Sequence, residues 1–432
     1  MRRACVVSTA GTGEGKTLVA LALTHALAAD GYDVAPFKVG PDFIDAKLYE
    51  QSCGQRARNL DLWLDGETRV LTELQRAHER GAAIVLEGMM GLHDGDDEGA
   101  TSTAHIAAAA DIPVVLVIDG WRVSQTAAAI ALGCASMAPR VHLLGVILNR
   151  CGGASHADAV RRACANVGIE LLATLPYDAT WTMPERHLGL DVRNTTPMRT
   201  AIEAAAEILR RQIDLRAIFG EPQPSSPHAG PPVHGPTIAH ADDDALWFTY
   251  PQTLEALRAA GANCVAFSPL RDASLPPNTA GVWLGGGYPE AHGAALARNV
   301  TLRREIATLA AEGAPIYAEC GGMMYLAQEL ETPDGCFPMV GALRGRTSIA
   351  SPALHIGYRK ARATRDSVLD DAGTAFHAYE FHYATGALDE LPAYECETDR
   401  GAWRPNILAS FLHRRFFVGD ATIARFVERA RR

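Results

Sequence analysis

Two short runs in this 432-residue chain carry residue types at spacings that could do chemistry. The first is Gly11-Thr12-Gly13-Glu14-Gly15-Lys16-Thr17. Glycines at this density let consecutive backbone N–H groups curl around phosphate oxygens, and a helix starting behind them adds the positive end of its dipole. Gly13 and Gly15 would shape the loop, Lys16 would reach the β- and γ-phosphates of ATP, and the Thr17 hydroxyl would ligate Mg2+. The strict pattern GxxxxGK[ST] is not met, because Ala10 stands where its first glycine belongs. The second run is Ala318-Glu319-Cys320-Gly321-Gly322. It sets a thiol between an apolar run and a helix-like run, the layout of a nucleophile elbow, although Ala318 replaces the usual glycine two positions before the nucleophile. A helix N-terminus stabilises a thiolate, and small neighbours leave room for substrate.

Each run needs partners. Metal-bound phosphate calls for carboxylates at strand ends, where open α/β sheets bind ligands. Asp42 and Asp45 follow the apolar run at 34–38, and Glu87 closes the run at 83–86 and leads into Gly88-Met89-Met90-Gly91-Leu92-His93-Asp94-Gly95. With Thr17, Asp42 and Glu87 are the candidate metal ligands, and Asp45 and Asp94 fall to the substrate side. Lys38 at a strand end is a candidate clamp for phosphate or a substrate carboxylate, and Asn149-Arg150, ending another apolar run, could hydrogen-bond the adenine edge. A cysteine nucleophile needs a base. His355, His377, His382 and His413 all lie downstream, and spacing alone leaves His413 and His382 as competitors. Backbone N–H groups of Gly286, in Leu284-Gly285-Gly286-Gly287-Tyr288-Pro289-Glu290, and of Gly321 could form an oxyanion hole.

The elements that must hold these groups read as repeated βα units. Short apolar, β-branched runs at 4–7, 34–38, 83–86, 114–118 and 143–148 suit buried parallel strands, and 18–29, 69–79 and 155–167 suit helices. The second half repeats the pattern with strands at 245–249, 263–267, 281–284 and 315–318 and helices at 253–260 and 301–312. An α/β fold of two domains follows, each a mostly parallel sheet flanked by helices. At about 100–200 residues per domain, the length agrees. Between the halves, residues 222–236 hold six prolines and no periodicity, which reads as a linker. The 40 basic and 50 acidic residues leave a net charge of −10, which argues against nucleic acid or a membrane surface as a partner held by general basic charge. No apolar run reaches the ~18–20 residues that span a bilayer. The apolar N-terminus breaks at once into the glycine loop, unlike a signal peptide. Nine cysteines, an odd number without a CxxC pair, fit reduced thiols and a cytoplasmic protein.

Further motifs complete a pattern: Lys38-Val39-Gly40-Pro41-Asp42-Phe43-Ile44-Asp45, Asn59-Leu60-Asp61, Glu87-Gly88-Met89-Met90-Gly91-Leu92, Pro184-Glu185-Arg186-His187-Leu188-Gly189-Leu190 and Glu380-Phe381-His382-Tyr383. With the two runs above and the Gly285–Glu290 loop, they span nearly the whole chain, which resembles the cobyrinic acid and hydrogenobyrinic acid a,c-diamide synthases. The resemblance implies a P-loop domain similar to dethiobiotin synthetase over 1–220, a linker over 221–240 and a class I glutamine amidotransferase domain over 241–432. It implies Mg2+, ATP and L-glutamine, and a corrinoid whose c and then a side-chain carboxylates are phosphorylated and amidated by ammonia released at a distant thiol. It also implies that His413 is the base for Cys320. The acid two residues beyond that histidine in class I enzymes is Arg415 here, which points to a Cys–His dyad and leaves the orienting group open. Lys38, Lys47, Arg186 and His187 are candidate cations for the substrate. A homodimer is compatible with this reading. The competing readings are a nickel-sirohydrochlorin a,c-diamide synthase, a cobyric acid synthase, and a P-loop switch ATPase with an inactive amidotransferase-like domain.

Overall fold

The computed structural model describes all residues except 43–45, 96–100, 182–184, 187–188, 191–195 and 224–234. The chain divides into two compact units, Met1–Ala229 and Gly230–Arg432.

The first unit is built on a seven-stranded parallel sheet. Its spatial order is Arg58–Leu60, Val34–Val39, Ala83–Glu87, Ala4–Thr9, Val114–Asp119, Leu143–Cys151 and Leu171–Pro176. Every strand but the edges is buried on both faces, which is why these runs are continuously apolar rather than alternating. The two faces separate cleanly: Cys5 and Val7 join one apolar cluster, and Ala4 and Val6 the other. Helix Lys16–Ala29 is apolar around its whole circumference because it lies between the sheet and helix Thr196–Gln212, so no side of it meets solvent along its middle. The sequence reading missed that second helix and the strands Arg58–Leu60 and Leu171–Pro176.

The second unit carries a six-stranded sheet in the order Asn263–Phe267, Thr237–Ala241, Thr279–Leu284, Ile316–Glu319, Ile407–Ser410 and Ala402–Arg404. It is parallel except for the last pair. Its second strand begins inside the stretch read as linker, so the stretch with no periodicity ends before residue 237. The run at 245–249 is not a strand of this sheet. Leu246–Phe248 pairs antiparallel with Gly286–Gly287 in a separate two-stranded ribbon, because it turns back over the glycine loop instead of crossing to the next parallel position. A four-stranded antiparallel sheet stands apart, in the order Tyr394–Glu395, His355–Ala363, Ala375–His382 and Leu412–His413. The chain therefore leaves the parallel sheet at Ser410 and enters the antiparallel one two residues later. Among the described residues, no helix is long and apolar enough to cross a membrane.

Candidate active sites

The glycine loop leaves strand Ala4–Thr9 and enters helix Lys16–Ala29 through Gly15, at φ 98°. That conformation suits glycine, and a Cβ there would also stand 2.2 Å from Asn149 Nδ2. Asn149 is buried, and its amide donates to the Glu14 carbonyl at 2.9 Å, so in this structure it braces the phosphate loop. Arg150 donates to Asp119 Oδ2 at 2.6 Å. On the other side, Leu92 N donates to the Thr9 carbonyl at 2.7 Å, and Gly91 N donates to Asp94 Oδ2 at 2.9 Å, so the exposed Asp94 closes its own loop against the base of the phosphate loop.

Glu87 is the centre of this site. Its strand pairs in register with Val7 and with Lys38, which brings a fully buried carboxylate beside a buried ammonium. Glu87 Oε1 accepts from Thr17 Oγ1 at 2.6 Å and from Lys38 Nζ at 2.8 Å, while Oε2 accepts from the Tyr49 hydroxyl at 2.6 Å. Burial alone would raise the Glu87 pKa. The charges of Lys38 and Lys16 and the Lys38 and Thr17 hydrogen bonds outweigh it and hold the carboxyl below its ordinary value. Lys38 also lies 3.7 Å from Asp42 Oδ2. Lys38, the candidate clamp for phosphate or a substrate carboxylate, thus lies between two of the protein's own carboxylates in this structure. Asn59 Nδ2 fixes the loop that carries Asp42, donating to the Gly40 and Asp42 carbonyls at 2.9 and 2.6 Å. One hydroxyl and two carboxylates, Thr17, Glu87 and Asp42, form an all-oxygen donor set beside a phosphate loop, which fits Mg2+. Asp45 and His187 lie outside the described residues. Of Arg186 only the backbone is described, in a two-stranded hairpin of Glu185–Arg186 with Gly189–Leu190.

In the second unit Cys320 follows strand Ile316–Glu319 and caps helix Gly321–Leu326. Its φ of 48° and ψ of −110° are unusual for a residue with a side chain, a strain costing on the order of 1–3 kcal/mol that recurs at nucleophile turns. Its N–H donates to the Ser410 carbonyl at 2.7 Å, which ties the thiol to the strand that leads into His413. A Cβ on Gly286 would stand 2.9 Å from His413 Cε1, and one on Gly321 would stand 2.8 Å from Gly287 N. The triple-glycine loop therefore closes directly over His413 and the start of the cysteine helix. This brings Cys320, His413, Gly286 and Gly321 to one place.

Burial pushes the Cys320 thiol well up and the His413 imidazole down to about 3, so both are neutral at rest. A neutral imidazole is competent to accept the thiol proton. It also has a cost in acid. The unfolded histidine binds a proton near 6.5 and the folded one does not until about 3, so His413 subtracts stability as pH falls through that window, up to about tenfold in the folding constant per pH unit. A His413→Asn variant is expected to lose less stability than the parent in urea titrations from pH 7 to pH 4. Parallel losses would show that His413 is not buried neutral.

The competitor, His382, is committed elsewhere. Its Nδ1 meets the Ala384 carbonyl at 2.7 Å and its Nε2 meets Glu380 Oε1 at 3.0 Å, and its ring stacks on Phe411 at 3.9 Å. Arg415, where an acid would complete a triad, extends its guanidinium over the Tyr250 ring. A carboxylate does lie beside His413: Glu319, with Oε2 3.8 Å from His413 Nδ1. In the sequence Glu319 is marked only as a member of the cysteine motif. Its neighbourhood follows from strand register, since Glu319 pairs with Ser410 three residues before the histidine. Tyr49 and Asn59 were likewise assigned no role, and only their contacts across the sheet reveal one.

A parallel sheet with a phosphate loop in one unit and a thiol at a strand–helix turn in the other define a class of ligase. Such enzymes use ATP to activate a carboxylate and take nitrogen from glutamine. Residues 5–190 match the model of the CobQ/CobB/MinD/ParA nucleotide binding domain, and residues 237–421 that of the CobB/CobQ-like glutamine amidotransferase domain. The chain is 37% identical to the hydrogenobyrinate a,c-diamide synthase of Thermobifida fusca, over 98% of this chain and 95% of that protein. It is 35% identical to the cobyrinate a,c-diamide synthase of Syntrophotalea carbinolica, over 98% and 97%. It is 38% identical to the hydrogenobyrinate a,c-diamide synthase of Mycobacterium tuberculosis strain H37Rv, over 99% and 98%. The chain belongs to the family of cobyrinate and hydrogenobyrinate a,c-diamide synthases.

Proposed function

We propose that this protein amidates the a and c side-chain carboxylates of a corrinoid, using ATP and glutamine, as a carbon–nitrogen ligase of cobalamin biosynthesis. The observation that carries the reading is full-length similarity to a,c-diamide synthases in a chain that keeps both a phosphate-loop lysine and a turn cysteine. A carboxylate is a poor electrophile at neutral pH, and phosphorylation supplies its leaving group. Gly13 and Gly15 shape the loop around the phosphates, and Lys16 spreads the charge of the transferring phosphoryl group. Mg2+, when bound, would neutralise phosphate charge, and Thr17, Glu87 and Asp42 are the residues that would hold it. Lys38 keeps Glu87 ionised for that purpose.

In the second unit Cys320 Sγ attacks the side-chain amide carbon of glutamine. His413 takes the thiol proton and returns it to the departing ammonia, and the Gly286 and Gly321 N–H groups are placed to receive the negative oxygen. Water then hydrolyses the thioester to glutamate. The ammonia attacks the carbonyl carbon of the acyl phosphate, the C–O bond to phosphate breaks, and the amide forms with release of inorganic phosphate and a proton.

Purified protein with Mg-ATP and glutamine is expected to add two amides to cobyrinate or to hydrogenobyrinate, counted by mass. Running both substrates separates the cobalt-containing from the cobalt-free assignment. No ATP-dependent mass change with either would sink the reading.

A further inference from the structure

The base at the thiol site has to become an imidazolium in a place that disfavours charge. His413 is wholly buried, and its pKa is depressed mainly by that burial. Something must compensate the positive ring when it takes the thiol proton. Carboxylates that act on the thiol or its base include Glu319, Glu380, Glu290 and Asp399; Asp399 is taken up by the Gly401 and Phe411 N–H groups at 3.0 and 2.6 Å, and Glu290 acts on Cys320. Glu380 is ionised and its charge raises the His413 pKa, but both its oxygens are bound to other groups: Oε1 meets His382 Nε2, and Oε2 accepts from Arg359 Nε at 2.6 Å and Thr398 Oγ1 at 2.7 Å. Glu319 differs. Its Oε1 accepts from two neutral donors, the Tyr317 hydroxyl at 2.6 Å and the Arg414 backbone N–H at 3.0 Å, and its Oε2 faces His413 Nδ1. The Arg414 guanidinium, the nearest full cation, is taken up by Asp370 in two hydrogen bonds of 2.6 and 3.0 Å.

Resting on the assignment of Cys320 and His413 above, we infer that Glu319 is the positioning residue for His413, holding the imidazole through Nδ1 and balancing its charge once it is protonated. The triad acid that class I enzymes place after the histidine is supplied here from the residue before the nucleophile. The separation of 3.8 Å is an ion-pair distance and not a hydrogen bond, and such contacts tighten when substrate binds. The neutral donors at Oε1 fix one side of the carboxylate and leave its other oxygen directed at the ring. Burial raises the Glu319 pKa to about 7, against the lowering effects of the Tyr317 and Arg414 hydrogen bonds and the Arg414 charge. Its charge therefore grows as pH rises through neutrality. The ionisable groups facing it are Tyr317 on its own strand, Cys320 beyond it, and His413 and Arg414 on the strand that crosses between the sheets.

The test uses the full chain and two activities. Glu319→Gln keeps an acceptor for Tyr317 and Arg414 and removes only the charge. It is expected to lower the glutaminase kcat roughly a hundredfold or more, with the KM for glutamine within about threefold. The rise of parental kcat around pH 7 is expected to flatten in the variant. Amide synthesis from ammonium chloride, which bypasses the thiol, should be unchanged and reports that the chain is folded. Glu319→Asp should recover part of the lost rate. Tyr317→Phe removes a bond that favours the ionised carboxylate, so the rise near pH 7 should move to higher pH. A Glu319→Gln rate within threefold of the parent, or an unaltered pH profile at any rate, would overturn the inference. Loss of ammonia-driven synthesis as well would mark Glu319 as structural and overturn it too. If Cys320→Ala and His413→Asn also leave glutaminase intact, the assignment of the thiol site fails, which is a different result.

Discussion

Replacing Cys320 by alanine is expected to reduce glutamine-dependent amidation at least a thousandfold while ammonium chloride still drives synthesis at the parental rate. The size of the first effect follows from covalent catalysis. An unactivated amide resists hydrolysis at neutral pH, and no other group on the turn can attack it. The insensitivity of the second follows from separation of roles, because the residues proposed for acyl-phosphate formation, Lys16, Thr17, Glu87 and Asp42, lie in the first unit. The substitution is mild for the fold. Alanine fills most of the volume of the buried thiol, the strained backbone is unchanged, and the cost is about 1 kcal/mol, little against a stability of several. The measurement is amide formation by mass with each nitrogen source at matched ATP. Loss of both activities in a folded variant would contradict independent sites, and retention of both would remove Cys320 from the chemistry.

Legibility in the sequence tracked the range of the contacts involved. Gly15, Lys16 and Thr17 could be read because a phosphate loop is local: strand, glycines and helix follow one another within about fifteen residues. Cys320 could be read for the same reason. Glu87 was placed at a strand end, but its bonds to Lys38 and Tyr49 depend on which strands lie side by side, and spacing does not state that order. Asn149 also makes a contact that spacing does not state. A polar residue closing an apolar strand beside a nucleotide loop looks like a ligand contact, yet its amide is turned to the Glu14 carbonyl. His413 and His382 could not be separated by spacing, because both end strands near the nucleophile. They differ in what lies beside their nitrogens: Ala384 and Glu380 meet both nitrogens of His382, whereas Glu319 stands 3.8 Å from His413 Nδ1. The run at 245–249 was apolar and strand-like, as it should be. Its direction was set by the glycine loop it covers, forty residues away.

Lys16→Ala has the other large effect and the inverse signature. It is expected to reduce synthesis from glutamine and from ammonia alike, by about 10²–10³ or more, since one charge that stabilises the transferring phosphoryl group is gone from a site built for it. Glutamine hydrolysis at Cys320 should continue. A second consequence arises at Glu87. Burial already works against its ionised form, and Lys16 is one of the two cations that hold the carboxylate charged. Without it the Glu87 pKa should rise while Lys38 remains in place, so the residual activity of the variant should fall more steeply than the parent's on the acid side. ADP release and amide formation, followed together from pH 6 to pH 8.5, check both effects. ATP-dependent product above a tenth of the parent would sink the phosphate-loop assignment. A residual pH profile that superimposes on the parent's would show that Lys38 alone sets the Glu87 charge. Cys320→Ala and Lys16→Ala thus divide one overall reaction into two halves, each lost without the other, as expected if the carboxylate is activated at Lys16 and ammonia is made at Cys320.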